Sequence, residues 1–145
     1  MSVVMKQPPG KEMPKWAVWA GRIMSGIVVA FLTMDGAIKI LDLAAVGDTL
    51  RQLGYPASLA RGLGVLTLLI AVLYAVPRTA FLGAVLLTGL LGGAMATHLR
   101  VGSPVFTHHF FGLYIGVLAW GGLWLRDPRL RGVVGRPVQD RPQQG

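Results

Sequence analysis

Between Pro77-Arg78 and Gly102 the chain reads TAFLGAVLLTGLLGGAMATHLRVG, and no residue able to carry a charge interrupts it before His98. About 20 apolar or small residues in a row is the length a helix needs to cross a hydrocarbon core of roughly 30 Å. Gly89 and Gly93 form a G-x-x-x-G pair, and Gly92, Ala94 and Ala96 keep the neighbouring turns slim. That pattern lets a second helix backbone come close inside lipid, so Gly89, Gly92 and Gly93 are expected to be packing positions. The stretch predicts the inner helix of a membrane bundle with polar groups at one end.

Three further apolar runs accompany it: Trp16 to Met34, Leu59 to Val76 and Phe106 to Leu125, the last carrying a second G-x-x-x-G pair at Gly112 and Gly116. With 53% hydrophobic and 14% charged residues and a mean hydropathy of +0.58, the chain has too little polar surface to cover a soluble domain. The bilayer is the expected solvent. A net charge of +8 invites nucleic acid as a partner, but the basic residues gather at the ends of the apolar runs and no basic stripe is interleaved with aromatics. Nucleic acid is therefore set aside. The absence of cysteine removes disulfides, thiolate metal sites, iron–sulfur clusters, covalently attached haem and dithiol relays.

The expected fold is an all-α integral membrane protein, a four-transmembrane-helix bundle. Residues 1–15 read as a disordered basic arm, 16–126 as the membrane domain with helices over about 16–39, 59–76, 79–99 and 106–125, and 127–145 as a basic disordered tail. The first run is longer than a signal-peptide core, and Asp35, Gly36 and Lys39 follow where a cleavage site would stand, so it predicts a retained helix. ILDLAAVGDTLRQLG, from Ile40 to Gly54, has apolar residues at helical spacing and predicts a short amphipathic helix in the interface. Only Pro77-Arg78 separates the second and third runs, which makes those helices antiparallel neighbours.

Lysines and arginines set the orientation. Lys6, Lys11, Lys15, Arg78, Arg126, Arg129, Arg131, Arg136 and Arg141 fall on one side, against Lys39, Arg51, Arg61 and Arg100 on the other. The richer side is cytoplasmic by the positive-inside rule, so both termini face the cytoplasm and the chain is expected in the inner membrane. Asp35, Lys39, Thr97, His98, Arg100, His108 and His109 then lie together at the outer leaflet and form the candidate polar or ligand site. Asp35 and Lys39, four apart, also make an ordinary helix-surface pair. By helical rotation His98 lies opposite Gly89 while Thr97 shares the glycine face, and His108 and His109 flank the Gly112 and Gly116 face on either side, so the two cannot share one ligand. Haem held between facing histidines and a metal held with Asp35 both rank low, because nothing in the spacing sets their geometry. No paired carboxylates, nucleophile elbow or phosphate loop occurs.

VLYAVPRTAFLGAVLLTGLLGGAMATHLRVGSPVF, from Val72 to Phe106, and WGGLWLRDPRLR, from Trp120 to Arg131, resemble the DoxX-like integral membrane proteins. In that family a P-R-T turn, a G-G-A-x-A-T-H-x-R-V-G helix end and a W-G-G-L-x-L-R-D helix end recur. The matching positions here are Pro77, Arg78, Gly92, Gly93, Thr97, His98, Arg100, Trp120, Arg126 and Asp127, with a D-G-x-x-K element at Asp35, Gly36 and Lys39. The resemblance implies a four-helix inner-membrane protein and, from the quinone-linked oxidase subunit that lends the family its name, an accessory subunit of a membrane redox system with a quinone as ligand. It does not imply an enzyme. Many relatives carry a glutamate early in the second helix where this chain has Thr67, so a proton-handling role there does not carry over. Two other readings stay open: a non-catalytic scaffold that binds a partner subunit through its glycine faces, and, ranked lower, a small-solute or proton-coupled carrier.

Overall fold

Proline and glycine divide the chain into its helices. The computed structural model describes residues 12–41, 43–102 and 105–134, the side chains of 105–109 excepted. All regular structure among them is helical: α1 Lys15–Ile40, α2 Ala44–Gln52, α3 Leu59–Ala75, α4 Ala80–Arg100, α5 Val105–Arg126 and α6 Pro128–Val134. Pro14 sits just before α1 with an extended ψ of 146°, and its carbonyl accepts the Ala17 amide at 2.9 Å. Val76, held extended at φ −77° and ψ 121° by the Pro77 ring that follows it, ends α3. The stretch expected to begin a disordered tail differs from that reading, because Pro128–Val134 is a helix. Asp127 caps it, its Oδ1 accepting the Arg129 amide at 2.9 Å, and Pro128 suits the first helical position.

α2 ends in a tight reversal. Gly54 adopts φ 81°, its amide reaching the Arg51 carbonyl at 3.0 Å and the Tyr55 amide reaching Leu50 at 2.8 Å. This is the paired bonding of a Schellman turn, which needs a left-handed residue and so a glycine. It throws Tyr55 back toward the bundle.

The four long helices form a ring in which α1 packs on α3 and α5, and α4 packs on the same two from the far side. α1 and α4 therefore stand across the ring from each other. Val28 and Leu32 of α1, Ile70 and Tyr74 of α3, Leu87 of α4 and Leu123 of α5 meet in the core.

Which glycines bring the helices together differs from the expectation. Gly89, Gly92 and Gly93 have nothing within 4 Å of the space a Cβ would fill, so the G-x-x-x-G face of α4 packs against no helix described here. Gly112 and Gly116 do face α4, against Met95 and Leu91. The tightest approach joins α3 to α4, where a Cβ on Gly83 would stand 2.5 Å from the Tyr74 amide nitrogen, and α1 makes the next closest ones. A Cβ on Gly21 would stand 2.7 Å from the Leu125 Cβ, one on Gly122 would stand 2.7 Å from the Ser25 Oγ, and one on Gly64 would stand 2.9 Å from the Gly36 carbonyl. Backbone at Gly21, Gly36, Gly64 and Gly122 thus touches backbone across α1–α5 and α1–α3, where any side chain would hold the helices apart.

Candidate functional site

The polar residues divide between the two ends of the ring. At the α2 end Lys39 donates to the Asp35 carboxylate one turn back on α1, and both side chains are half-buried. On α4 the Thr97 Oγ1 donates to the Gly93 carbonyl at 2.9 Å and lies 3.3 Å from the Tyr55 hydroxyl. The Arg100 Nη2 donates to the Leu53 carbonyl at 3.1 Å. Tyr55 and Leu53 belong to the turn between α2 and α3, so Thr97 and Arg100 latch that turn onto the last turn of α4. Neither of these pairings joins α1 to α4. His98 is half-buried on the same turn and has a partner of its own. The side chains of His108 and His109 lie outside the described residues.

A cavity of about 310 Å³ does open at this end, but Asp48, Arg51 and Ser58 line it, between α2 and the start of α3, and none of the candidate residues does. Arg51 is held there by Asp48 at 2.8 Å, both well exposed. Among the described residues no three His, Asp or Glu side chains gather closely enough to hold a metal ion. Thr67 is fully buried in α3 and donates to the Leu63 carbonyl at 2.8 Å. It is a threonine satisfied by its own helix, not a group turned toward a ligand.

Sequence reasoning passed over the best-connected polar group in the bundle. Tyr74 is fully buried, and its hydroxyl donates to the Ala119 carbonyl of α5 at 2.7 Å. A phenol has one proton, so the Ser25 hydroxyl of α1, 3.1 Å away, donates to the Tyr74 oxygen in turn. Arg126 closes the arrangement from below: its Nη2 donates to the Tyr74 carbonyl at 2.7 Å, and its guanidinium lies 5.0 Å over the tyrosine ring. One side chain thus ties α1, α3 and α5 together. The signal was present, since Tyr74 is the one aromatic residue in the run from Leu59 to Val76 and it carries a hydroxyl that must find a partner when buried.

Trp120 adds a tie between α4 and α5, its Nε1 donating to Thr88 at 2.9 Å while Phe81 packs edge-on at 5.8 Å. These positions make a frame for helix packing, with donors and acceptors matched inside the chain. Neither curated proteins nor solved structures return a match to this sequence. The DoxX-like family model does, over residues 23–122, from early α1 to the Gly122 contact in α5. That match takes in the α2 turn, the latch on α4, the Tyr74 tie and about two thirds of the 145 residues, and the chain belongs to the DoxX-like family.

Proposed function

We propose that this chain is a multi-pass protein of the inner membrane, seated in lipid by α1, α3, α4 and α5 with both termini cytoplasmic, and that it serves as a non-catalytic subunit engaging a partner through α4. The observation that carries the reading is the distribution of side chains around the ring. Ile23 and Ile27 of α1, Val65 and Leu69 of α3, Leu82 of α4 and Val117 of α5 are exposed, while Ser25, Thr67 and the Tyr74 hydroxyl lie inside. A soluble bundle keeps such an apolar surface for its core, and patches this extensive mark lipid or a partner. α1 and α4 have the length and hydropathy of membrane spans, and only 22% of each apolar window is buried. α3, at 17 residues, extends about 25 Å, the short end of what a span requires.

A subunit role fits the polar end better than turnover does. Tyr55, Thr97 and Arg100 hold the chain on itself, and they line neither the cavity beside α2 nor the one at the α5–α6 junction. The open Gly89, Gly92 and Gly93 surface is where a partner helix would fit, because association in lipid depends on close backbone approach. The chain has no cysteine, so single cysteines report contacts cleanly. Gly93→Cys is expected to crosslink in native membranes to a neighbour of defined mass, whereas Val117→Cys, on an exposed face of α5, gives no such adduct. Equal adducts from both positions, or none from Gly93→Cys, would overturn the reading.

A quinone-binding role is the second reading, favoured by one observation. The Tyr55 and Thr97 hydroxyls and the Arg100 guanidinium bring donors to one turn of α4, next to His98. Its test is a quinone analogue that raises the melting temperature of the wild type and not that of His98→Ala; no shift in the wild type ends it.

A further inference from the structure

At the end of the ring away from α2, the α3–α4 turn and the α5–α6 junction enclose a cavity of about 350 Å³. Arg78, Arg126, Asp127 and Arg129 form its polar walls, and Ala80 and Leu123, each 1% exposed, form an apolar floor. Arg126 is held in place by the Tyr74 carbonyl and ring, whereas Arg78 and Arg129 are exposed. The Asp127 carboxylate uses Oδ1 to cap α6. Among the described residues none of these three arginines makes a salt bridge, so three guanidiniums surround a single carboxylate and the cleft keeps an excess of positive charge.

The tryptophans set the depth of this cleft. All four, Trp16 and Trp19 in the first turns of α1 and Trp120 and Trp124 in the last turns of α5, gather at this end. Trp16 and Trp19 are exposed, and the Arg22 guanidinium lies 5.6 Å over the Trp19 ring. Indoles settle at the level of lipid headgroups, which places the cleft at the depth of the phosphates. We infer that it holds the phosphate of an anionic phospholipid, with Arg78 and Arg129 as the charged contacts and Arg126 as a fixed donor. Planar guanidinium forks match phosphate oxygens two at a time, and the cytoplasmic leaflet is where anionic headgroups meet clusters of basic residues. The inference rests on the membrane reading but not on the partner or quinone readings.

The test uses the full chain purified in an uncharged detergent, with bound lipid counted by native mass spectrometry after adding phosphatidylglycerol or phosphatidylcholine. Wild type is expected to retain one phosphatidylglycerol and no phosphatidylcholine. Arg78→Gln with Arg129→Gln is expected to weaken that retention ~30-fold, from the contribution usual for two basic groups at a lipid surface. Both side chains are exposed, so the melting temperature without lipid should not change, and Arg78→Lys with Arg129→Lys, which keeps the charge but loses the fork, should recover only part of the retention. Lys15→Gln with Arg22→Gln removes the same charge at the same end, outside the cleft, and should leave retention nearly intact. Equal loss in that control would make the attraction diffuse and overturn the site, as would equal retention of phosphatidylcholine. Inorganic phosphate that protects against unfolding as well as phosphatidylglycerol does would assign the cleft to a soluble ion and overturn the lipid. A chain that stays in solution without detergent would overturn the membrane reading itself, a different result from losing lipid selectivity in detergent.

Discussion

Adding one methyl group at Gly21 and one at Gly93 should move stability in opposite directions. At Gly21 the new Cβ would lie 2.7 Å from the Leu125 Cβ and 2.9 Å from both the Arg126 amide nitrogen and the Gly122 carbonyl oxygen. Ordinary carbon–carbon contact begins near 3.5 Å, so α1 and α5 must separate by roughly 0.8 Å, and two of the three obstacles are backbone that cannot swing aside. A gap of that size along a packed seam forfeits about a quarter to a half of the dispersion at each neighbouring contact, and overpacking of this kind costs about 1–3 kcal/mol. With two backbone obstacles the cost falls in the upper part of that range, about 2–3 kcal/mol, and alanine's better helix propensity returns at most ~1 kcal/mol, which leaves Gly21→Ala destabilised by at least about 1 kcal/mol. At Gly93 the Cβ meets nothing within 4 Å, so only the propensity gain remains and Gly93→Ala should be as stable as wild type or more so by up to ~1 kcal/mol. Unfolding in detergent, followed by circular dichroism at a protein concentration where the chain is monomeric, measures both. A Gly21→Ala protein as stable as wild type, or a Gly93→Ala monomer destabilised to the same degree, would refute the assignment of the α1–α5 seam.

Three further outcomes follow from the contacts. Tyr74→Phe removes the bond to Ala119 and strips Ser25 of its acceptor; the serine can turn to its own helix, so the loss should be about 1 kcal/mol in the same unfolding assay, with Ser25→Ala and the double variant less than additive. Thr97→Val with Arg100→Gln should unlatch the α2–α3 turn, seen as faster amide exchange over residues 50–55, while global stability changes by under ~1 kcal/mol because these groups are largely exposed. If both termini are cytoplasmic, a membrane-impermeant maleimide added to intact cells should label Gln52→Cys in α2 and not Gly132→Cys in α6; the reverse pattern would invert the topology, and labelling of both would refute the even number of spans.

Much of the helical architecture was legible in the chain because helix length and proline placement are local properties. The nineteen apolar or small residues from Thr79 to Thr97 announce a helix, and the short turn at Pro77-Arg78 obliges α3 and α4 to lie side by side. Helical periodicity likewise announced α2 ahead of the structure. The family resemblance was legible for the same reason, its motifs lying at turns and helix ends. The helical start of the tail was missed because charge and proline content outweighed the Asp127-Pro128 capping signal.

What only the tertiary structure decided is which faces meet. A G-x-x-x-G pair states that a backbone can be approached, not that another helix of the same chain approaches it. The rotation of each helix in the ring depends on all its neighbours at once, and that rotation leaves Gly89 and Gly93 open while it presses Gly21 onto Gly122 and Gly36 onto Gly64. Asp35 and Lys39 stand on α1 and Thr97 and Arg100 on α4, helices across the ring from each other, although the sequence proposes one depth along the membrane normal for all four. Depth follows from distance along each helix and is written in the chain. Convergence depends on angles between helices, and those arise only when the side chains of four segments compete for one interior.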